Sequence, residues 1–118
     1  MRTLLALTVL SGSLVACFFL VQLRPAGAAG DPTKGKGLYE KYCVACHGAQ
    51  GKGDGPAGRM LKPPAADFTS AGSKKKPESE FTQVIENGKP GTAMGPWKGQ
   101  LSQAELADLI GYVMTLRK

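Results

Sequence analysis

Cys43-Val44-Ala45-Cys46-His47 is the stretch on which the reading of this chain turns. Its two thiols stand three positions apart, so on one turn of helix each can add to a vinyl group of the same flat macrocycle. The histidine directly after the second cysteine is then carried over the macrocycle's face, where an imidazole nitrogen can bind iron. Outside the cytoplasm, C-x-x-C-H in this order reads as an attachment site for a c-type haem. His47 is the only histidine among the 118 residues, so no other imidazole is available for that role.

Other uses of the motif fit less well. A structural zinc site needs further thiols or imidazoles at finger-like spacing, and the chain has no second C-x-x-C and no H-x-x-x-H. A thioredoxin-type dithiol sits in a βαβ pattern, whereas no strand-like alternation surrounds Cys43. A structural disulfide across a two-residue spacer is strained and leaves His47 without a purpose.

The amino-terminal quarter supplies the exported setting. Residues 3–23 are mostly apolar, follow a single Arg2, and give way to Arg24-Pro25-Ala26-Gly27-Ala28-Ala29. This is the layout of a secretory signal with a small-residue cleavage region. The apolar run is also nearly long enough to span a bilayer as a retained anchor. Leu14-Val15-Ala16-Cys17 resembles a lipobox, although the apolar Phe18-Phe19-Leu20-Val21 would then begin the mature chain. Cleavage near Ala28 or Ala29 is favoured, then anchoring, then lipidation. All three place the domain in the periplasm, free or held on the periplasmic face of the membrane. Residues 1–29 are thus expected to be a signal or anchor, and residues 31–118 one domain.

With Cys17 in the targeting segment, Cys43 and Cys46 are the only thiols of that domain, which excludes a disulfide-rich scaffold. Its size is small for a self-sufficient apolar core, so a covalently held porphyrin would serve as a staple. All nine acidic residues and thirteen of the fifteen basic ones lie beyond residue 30, a net charge of +4. Such a surplus suits an acidic partner or an anionic membrane surface. Gly51-x-Gly53 carries no nucleotide signal, because no strand precedes it and no G-K-[ST] follows. No nucleic-acid partner is expected.

The periodicity is helical throughout. Residues 33–46 read as one helix capped by Asp31 or Thr33, with Leu38, Tyr39, Tyr42 and Cys46 on a common face. Gly35 and Gly37 weaken it by about 1 kcal/mol each, and Gly35 suggests close approach of another helix. Residues 48–56 are loop chemistry, 57–61 a short helical turn, and 62–68 extended around Pro63 and Pro64. Lys74-Lys75-Lys76 reads as a solvated charge run in a loop. Pro77 opens a helix with Glu78 and Glu80 in its first turn and Phe81, Val84 and Ile85 as its apolar stripe, and Asn87-Gly88 ends it. Ser102-Gln103-Ala104-Glu105 is a capping box, with Leu101 placed to staple onto Leu106. Leu106, Leu109, Ile110, Val113 and Leu116 form the last stripe, with Arg117 and Lys118 at the negative end of the helix dipole. The fold class is all-α.

An iron bound by one histidine has an open sixth position, and methionine is the natural occupant once no second histidine exists. Met114 reads as packing on the last helix. Met60 lies on a short apolar turn and suits either core or ligand. Met94, between Gly91-Thr92-Ala93 and Gly95-Pro96-Trp97, has no apolar periodicity around it, and a glycine-flanked loop suits close approach to a flat ring. Met94 therefore leads over Met60.

From Gly35 to Leu116 the chain resembles a small bacterial class I c-type cytochrome. The resemblance is carried in order by G-K-G-L-Y-E-K-Y-C-V-A-C-H, G-T-A-M-G-P-W and L-x-x-L-I-G-Y-V. It implies three to four helices around one haem c, covalent through Cys43 and Cys46, with His47 proximal and Met94 distal. It also implies that the first and last helices cross at right angles, Gly35 and Tyr39 meeting Leu109 and Tyr112. Trp97 falls where such proteins place a residue near a haem propionate. A proline carbonyl usually receives the second ring N–H of the histidine; Pro56, Pro63 and Pro64 are candidates, with Pro64 preferred. The glycine-rich 51–55 and the Pro63-Pro64 pair set this loop apart from the shortest family members.

The expected function is periplasmic electron transfer without catalysis, between redox proteins with an acidic docking face, with Lys89 and Lys98 at the rim. The alternatives are a membrane-anchored haem subunit of a larger respiratory oxidoreductase, held through residues 3–23, and a ligand-binding or peroxidase-like haem protein.

Overall fold

The first helix starts where the local chemistry tells it to. The Asp31 carboxylate accepts from the Thr33 N–H (2.9 Å), and Pro32 takes the first helical position, where no intrahelical donor is needed. In a computed structural model residues 29–118 are described. The expected signal or anchor, together with Cys17, lies outside the described residues.

Five α-helices and one 3-10 turn make up the described residues, one more than the three to four expected: α1 Pro32–Tyr42, α2 Val44–His47, the turn Gly58–Met60, α3 Ala71–Lys75, α4 Glu78–Asn87 and α5 Gln103–Leu116. Among these residues there is no strand, only an isolated bridge between Lys98 and Leu101. Two differences from the sequence reading bear on this number. The single helix expected over 33–46 is divided at Cys43, whose backbone (φ −116°, ψ −30°) closes α1 and opens α2. The lysine run expected in a loop instead ends α3, because the Ser70 hydroxyl accepts from the Ser73 N–H (3.2 Å) and caps a short helix there.

The core is built by α5, α1 and α4. Tyr39, Ile85, Leu101, Leu106, Leu109, Ile110 and Val113 are buried together with Phe68. Of the expected α5 stripe, Leu116 is only partly buried. The capping box is present in full: the Ser102 hydroxyl accepts from Glu105 N–H, and the Glu105 carboxylate accepts from Ser102 N–H (2.8 Å). The most extensive helix contact is between α1 and α5. Gly35 provides it as anticipated, since its absent side chain lets the Asp108 carbonyl and Tyr112 approach, and the Tyr39 and Tyr112 rings meet at 5.2 Å. Gly37, by contrast, faces open space.

Arg117 qualifies another expectation. It caps α5 as expected, but its guanidinium donates to no carbonyl of that helix. It reaches across to α3, donating to the carbonyls of Ser73 (2.7 Å) and Lys74 (3.3 Å) and to that of Lys76. The carbonyls gathered at the end of a short helix are a strong acceptor set for a planar fork of donors.

Candidate haem-binding site

The motif is carried on a break in the backbone. Because Cys43 ends α1 and starts α2, Cys46 and His47 follow on a separate single turn, with His47 N–H donating to the Cys43 carbonyl (2.9 Å). Gly48 terminates that turn at φ +76°, a conformation that glycine adopts without strain. Its carbonyl accepts the buried Tyr39 hydroxyl at 2.7 Å, which ties α2 to α1.

These residues face a cavity of about 420 Å³, within the size range of small-molecule and cofactor sites. Cys43, Cys46, His47, Met94, Trp97 and Pro64 all line it. The six residues singled out from the sequence, drawn from three separate segments, are therefore brought to one place. Met60 is not among the lining residues and is 78% exposed. Met114 lies in α5, where its sulfur accepts from Arg117 Nη1 (3.0 Å). Of the two rim candidates, Lys89 lines the cavity and Lys98 does not.

The Met94 loop is held by short-range bonds. Met94 N–H donates to the Thr92 hydroxyl (3.2 Å), and its carbonyl accepts from Lys89 N–H (2.9 Å). Thr92 in turn donates its hydroxyl to the Lys89 carbonyl (2.7 Å). Trp97 N–H anchors the far end of the loop to the Ile85 carbonyl at the end of α4 (3.0 Å), and the Trp97 ring packs on Tyr42 at 5.0 Å. Thr92 escaped the sequence reading, although a hydroxyl two residues before the methionine is a recognisable brace for a tight loop.

His47 Nδ1 lies 3.1 Å from the carbonyl oxygen of Ala66. This corrects the preference for Pro64, which lines the cavity but does not supply the acceptor. Extended backbone at prolines carries successive carbonyls in different directions, and only the folded loop selects one. A carbonyl can only accept, so Nδ1 carries the proton and Nε2 keeps its lone pair for a metal. Burial pushes the imidazole pKa down, against a smaller upward pull from the Ala66 bond. Burial, reinforced by Cys46, raises the Cys43 thiol to about 11. Phe68, also missed, stacks on the imidazole with ring centroids 4.5 Å apart and planes 21° from parallel.

The donor set fits an iron porphyrin. A neutral imidazole with a free Nε2, a thioether and two thiols at one turn's spacing share a cavity whose remaining lining is largely aliphatic and aromatic. Fold and site together define a c-type cytochrome, a class of electron-transfer protein. The chain belongs to the family described as cytochrome c oxidase, cbb3-type, subunit III, whose model matches residues 30–113. Haem c is attached covalently through Cys43 and Cys46.

Relatives of several sizes share this domain. Cytochrome c-554(547) of Halothiobacillus neapolitanus is 32% identical over 96 residues, which cover 75% of this chain and all of that protein. The cbb3-type cytochrome c oxidase subunit CcoP of Azospirillum sp. (strain B510) is 32% identical over 97 residues, 77% of this chain. Dihydro-heme d1 dehydrogenase of Pseudomonas aeruginosa is 35% identical over 86 residues, 73% of this chain. The chain spans only 30% of CcoP and 16% of the dehydrogenase. Among solved structures, the KustC0563 c-type cytochrome superposes with a TM-score of 0.60 at 27% identity, covering 71% of this chain and 98% of that one.

Proposed function

We propose that the protein is an exported one-electron carrier whose iron is held between His47 and Met94, and that it makes and breaks no substrate bonds itself. The observation that carries this reading is that His47 and Met94 line the same cavity as both cysteines, while Met60 stands in solvent. The bound haem supplies the chemistry, its iron alternating between ferric and ferrous. The chain's own residues provide the rest. His47 is fixed as the Nδ1–H tautomer by Ala66, and the Thr92 and Lys89 bonds hold Met94 so that its thioether is presented without searching rotamers of the loop. Trp97 is the candidate for contact with a propionate. Lys89 at the cavity and Lys98 nearby form the rim for an acidic redox partner. His47 and Met94, the side chains that would hold the iron, are already fixed by the fold, so little of the chain would have to reorganise on electron transfer.

Cleavage near Ala28 or Ala29 and residence in the periplasm complete the proposal. Among the described residues no helix is long and apolar enough to cross a membrane. A second reading is favoured by the family description: a haem module of a membrane-bound oxidoreductase, with residues 3–23 kept as an anchor. Mass spectrometry of the mature protein separates the two, since a start at Ala29 or Gly30 gives the free carrier and an intact apolar segment gives the anchored subunit.

The axial ligands are tested by visible spectroscopy of ferric and ferrous protein with and without carbon monoxide. The native ferric form should show the weak red band of sulfur on iron, and the native ferrous form should ignore the gas. Met94→Ala should lose the band and bind carbon monoxide, whereas Met60→Ala should behave as native. Ready binding of carbon monoxide by the native ferrous form would overturn the closed site and favour a ligand-binding or peroxidase-like protein.

A further inference from the structure

Within the five residues Ala66-Asp67-Phe68-Thr69-Ser70 the chain supplies two different restraints on one imidazole. The Ala66 carbonyl takes the Nδ1 proton, and the Phe68 ring lies on the imidazole face. A single hydrogen bond leaves a ring free to pivot about the bond's axis. A stacked face removes that freedom.

The restraining segment is itself restrained. Phe68 N–H donates to the Gly51 carbonyl (2.7 Å). The Asp67 carboxylate accepts from both the Thr69 N–H (2.8 Å) and its hydroxyl (2.7 Å). The Asp67 carbonyl accepts from the hydroxyls of Ser70 (3.0 Å) and Ser73 (2.6 Å), so the segment is pinned to α3. Arg117 then holds α3 in place through the carbonyls at its end. The Arg117 guanidinium also lies 4.2 Å from the centre of the Phe81 ring, which meets Phe68 edge-on at 5.9 Å. Arg117 therefore grips both bodies that enclose Phe68, one through backbone carbonyls and the other through a cation–π contact.

We infer that Phe68 and Arg117 are positioning residues that set the rotational orientation of the His47 imidazole, Phe68 by stacking on it and Arg117 by locking α3 and Phe81 around Phe68. The inference rests on His47 being an iron ligand. Groups beyond the ligand itself orient it and tune the metal. In a low-spin ferric haem the orientation of the imidazole plane governs how unpaired spin spreads over the porphyrin. The four haem methyl proton resonances respond to that orientation together with that of the thioether on the other face, which the substitutions below leave untouched.

The test is proton NMR of the ferric holoprotein, comparing wild type with Phe68→Leu, Phe68→Tyr and Arg117→Gln. Phe68→Leu should redistribute the four methyl shifts, and Phe68→Tyr, which keeps the ring, should retain the native pattern. Arg117→Gln should move the shifts in the same sense as Phe68→Leu by a smaller amount. A merely structural role would lower the melting temperature without moving the pattern. A native pattern in Phe68→Leu, or equal displacement in Phe68→Tyr, overturns the inference. If Phe68→Leu yields no holoprotein, Arg117→Gln decides: displaced methyl shifts support the inference and native ones overturn it. A wild-type spectrum lacking the strongly shifted methyls of a low-spin haem overturns the ligation reading itself, and this inference with it.

Discussion

Gly35 in α1 lies directly against the backbone carbonyl of Asp108 in α5: a methyl group built on Gly35 would stand 1.9 Å from that oxygen and 2.9 Å from Cβ of Tyr112. The two helices can approach this closely only because position 35 has no side chain. Gly35→Ala should therefore force them apart and cost about 1–3 kcal/mol, the usual range for overpacking a well-fitted contact. Gly37, two residues along the same helix, has nothing within 4 Å of such a methyl. Gly37→Ala should stabilise by up to about 1 kcal/mol through helix propensity alone. Denaturant midpoints of the two variants should move in opposite directions.

Tyr39 is 1% exposed and gives its only hydroxyl proton to the Gly48 carbonyl. Tyr39→Phe removes that buried bond beside the attachment motif, leaving the Gly48 carbonyl with the Gly51 N–H alone (3.1 Å), and should cost about 1 kcal/mol. Burial, more than the neighbouring Cys43, Tyr112 and Asp54, pushes the phenol far above its ordinary value. In the unfolded chain the phenol ionises near pH ~10. Above that pH only the unfolded state releases the proton, so stability falls as pH rises. Denaturation profiles from neutral to alkaline pH should show a shallower decline in Tyr39→Phe than in the native protein.

The capping box of α5 predicts the opposite pH behaviour. Bonds from the Ser102 backbone N–H, then from its hydroxyl, hold the Glu105 carboxyl below its ordinary pKa. A depressed acid contributes stability above its unfolded pKa and loses it as pH falls through the folded one. Ser102→Ala should cost about 1 kcal/mol at neutral pH. It should also flatten the acid limb of a stability-versus-pH curve measured by urea unfolding.

Lys89 and Lys98 flank the Met94 loop, and both are exposed. Reversing both to glutamate should slow reduction by a small anionic reductant such as ascorbate several-fold at low ionic strength. The difference should disappear in about 1 M salt, where the screening length falls to about 3 Å. Stopped-flow reduction across a salt series checks this, and an unchanged rate at low salt removes both lysines from the electron-entry surface.

Much of this protein is written locally. The spacing of Cys43, Cys46 and His47 carries its chemistry in five residues, and the caps at Asp31 and Ser102 announce α1 and α5 because capping bonds reach only two or three residues. The amphipathic stripes of α4 and α5 are legible for the same reason. Met94 stood out against Met60 because a thioether in a loop without apolar periodicity has no packing to explain it. What stayed hidden involves either generic groups or distant partners. Every residue carries a carbonyl, so no side chain marks Ala66 rather than Pro64 as the acceptor for His47. The break at Cys43 and the short helix α3 depend on a few backbone bonds whose propensity signal is weak.

The sequence alone thus determined the all-helical class, the attachment chemistry and the candidate axial pair, through spacing and short-range hydrogen bonding. The tertiary structure alone decided which carbonyl fixes the imidazole tautomer, that Phe68 lies on the imidazole, and that Arg117 reaches the α3 carbonyls across 44 residues of sequence. Those outcomes follow from closing long loops around a packed core, where the competing acceptors and faces are chemically alike and only their final positions distinguish them.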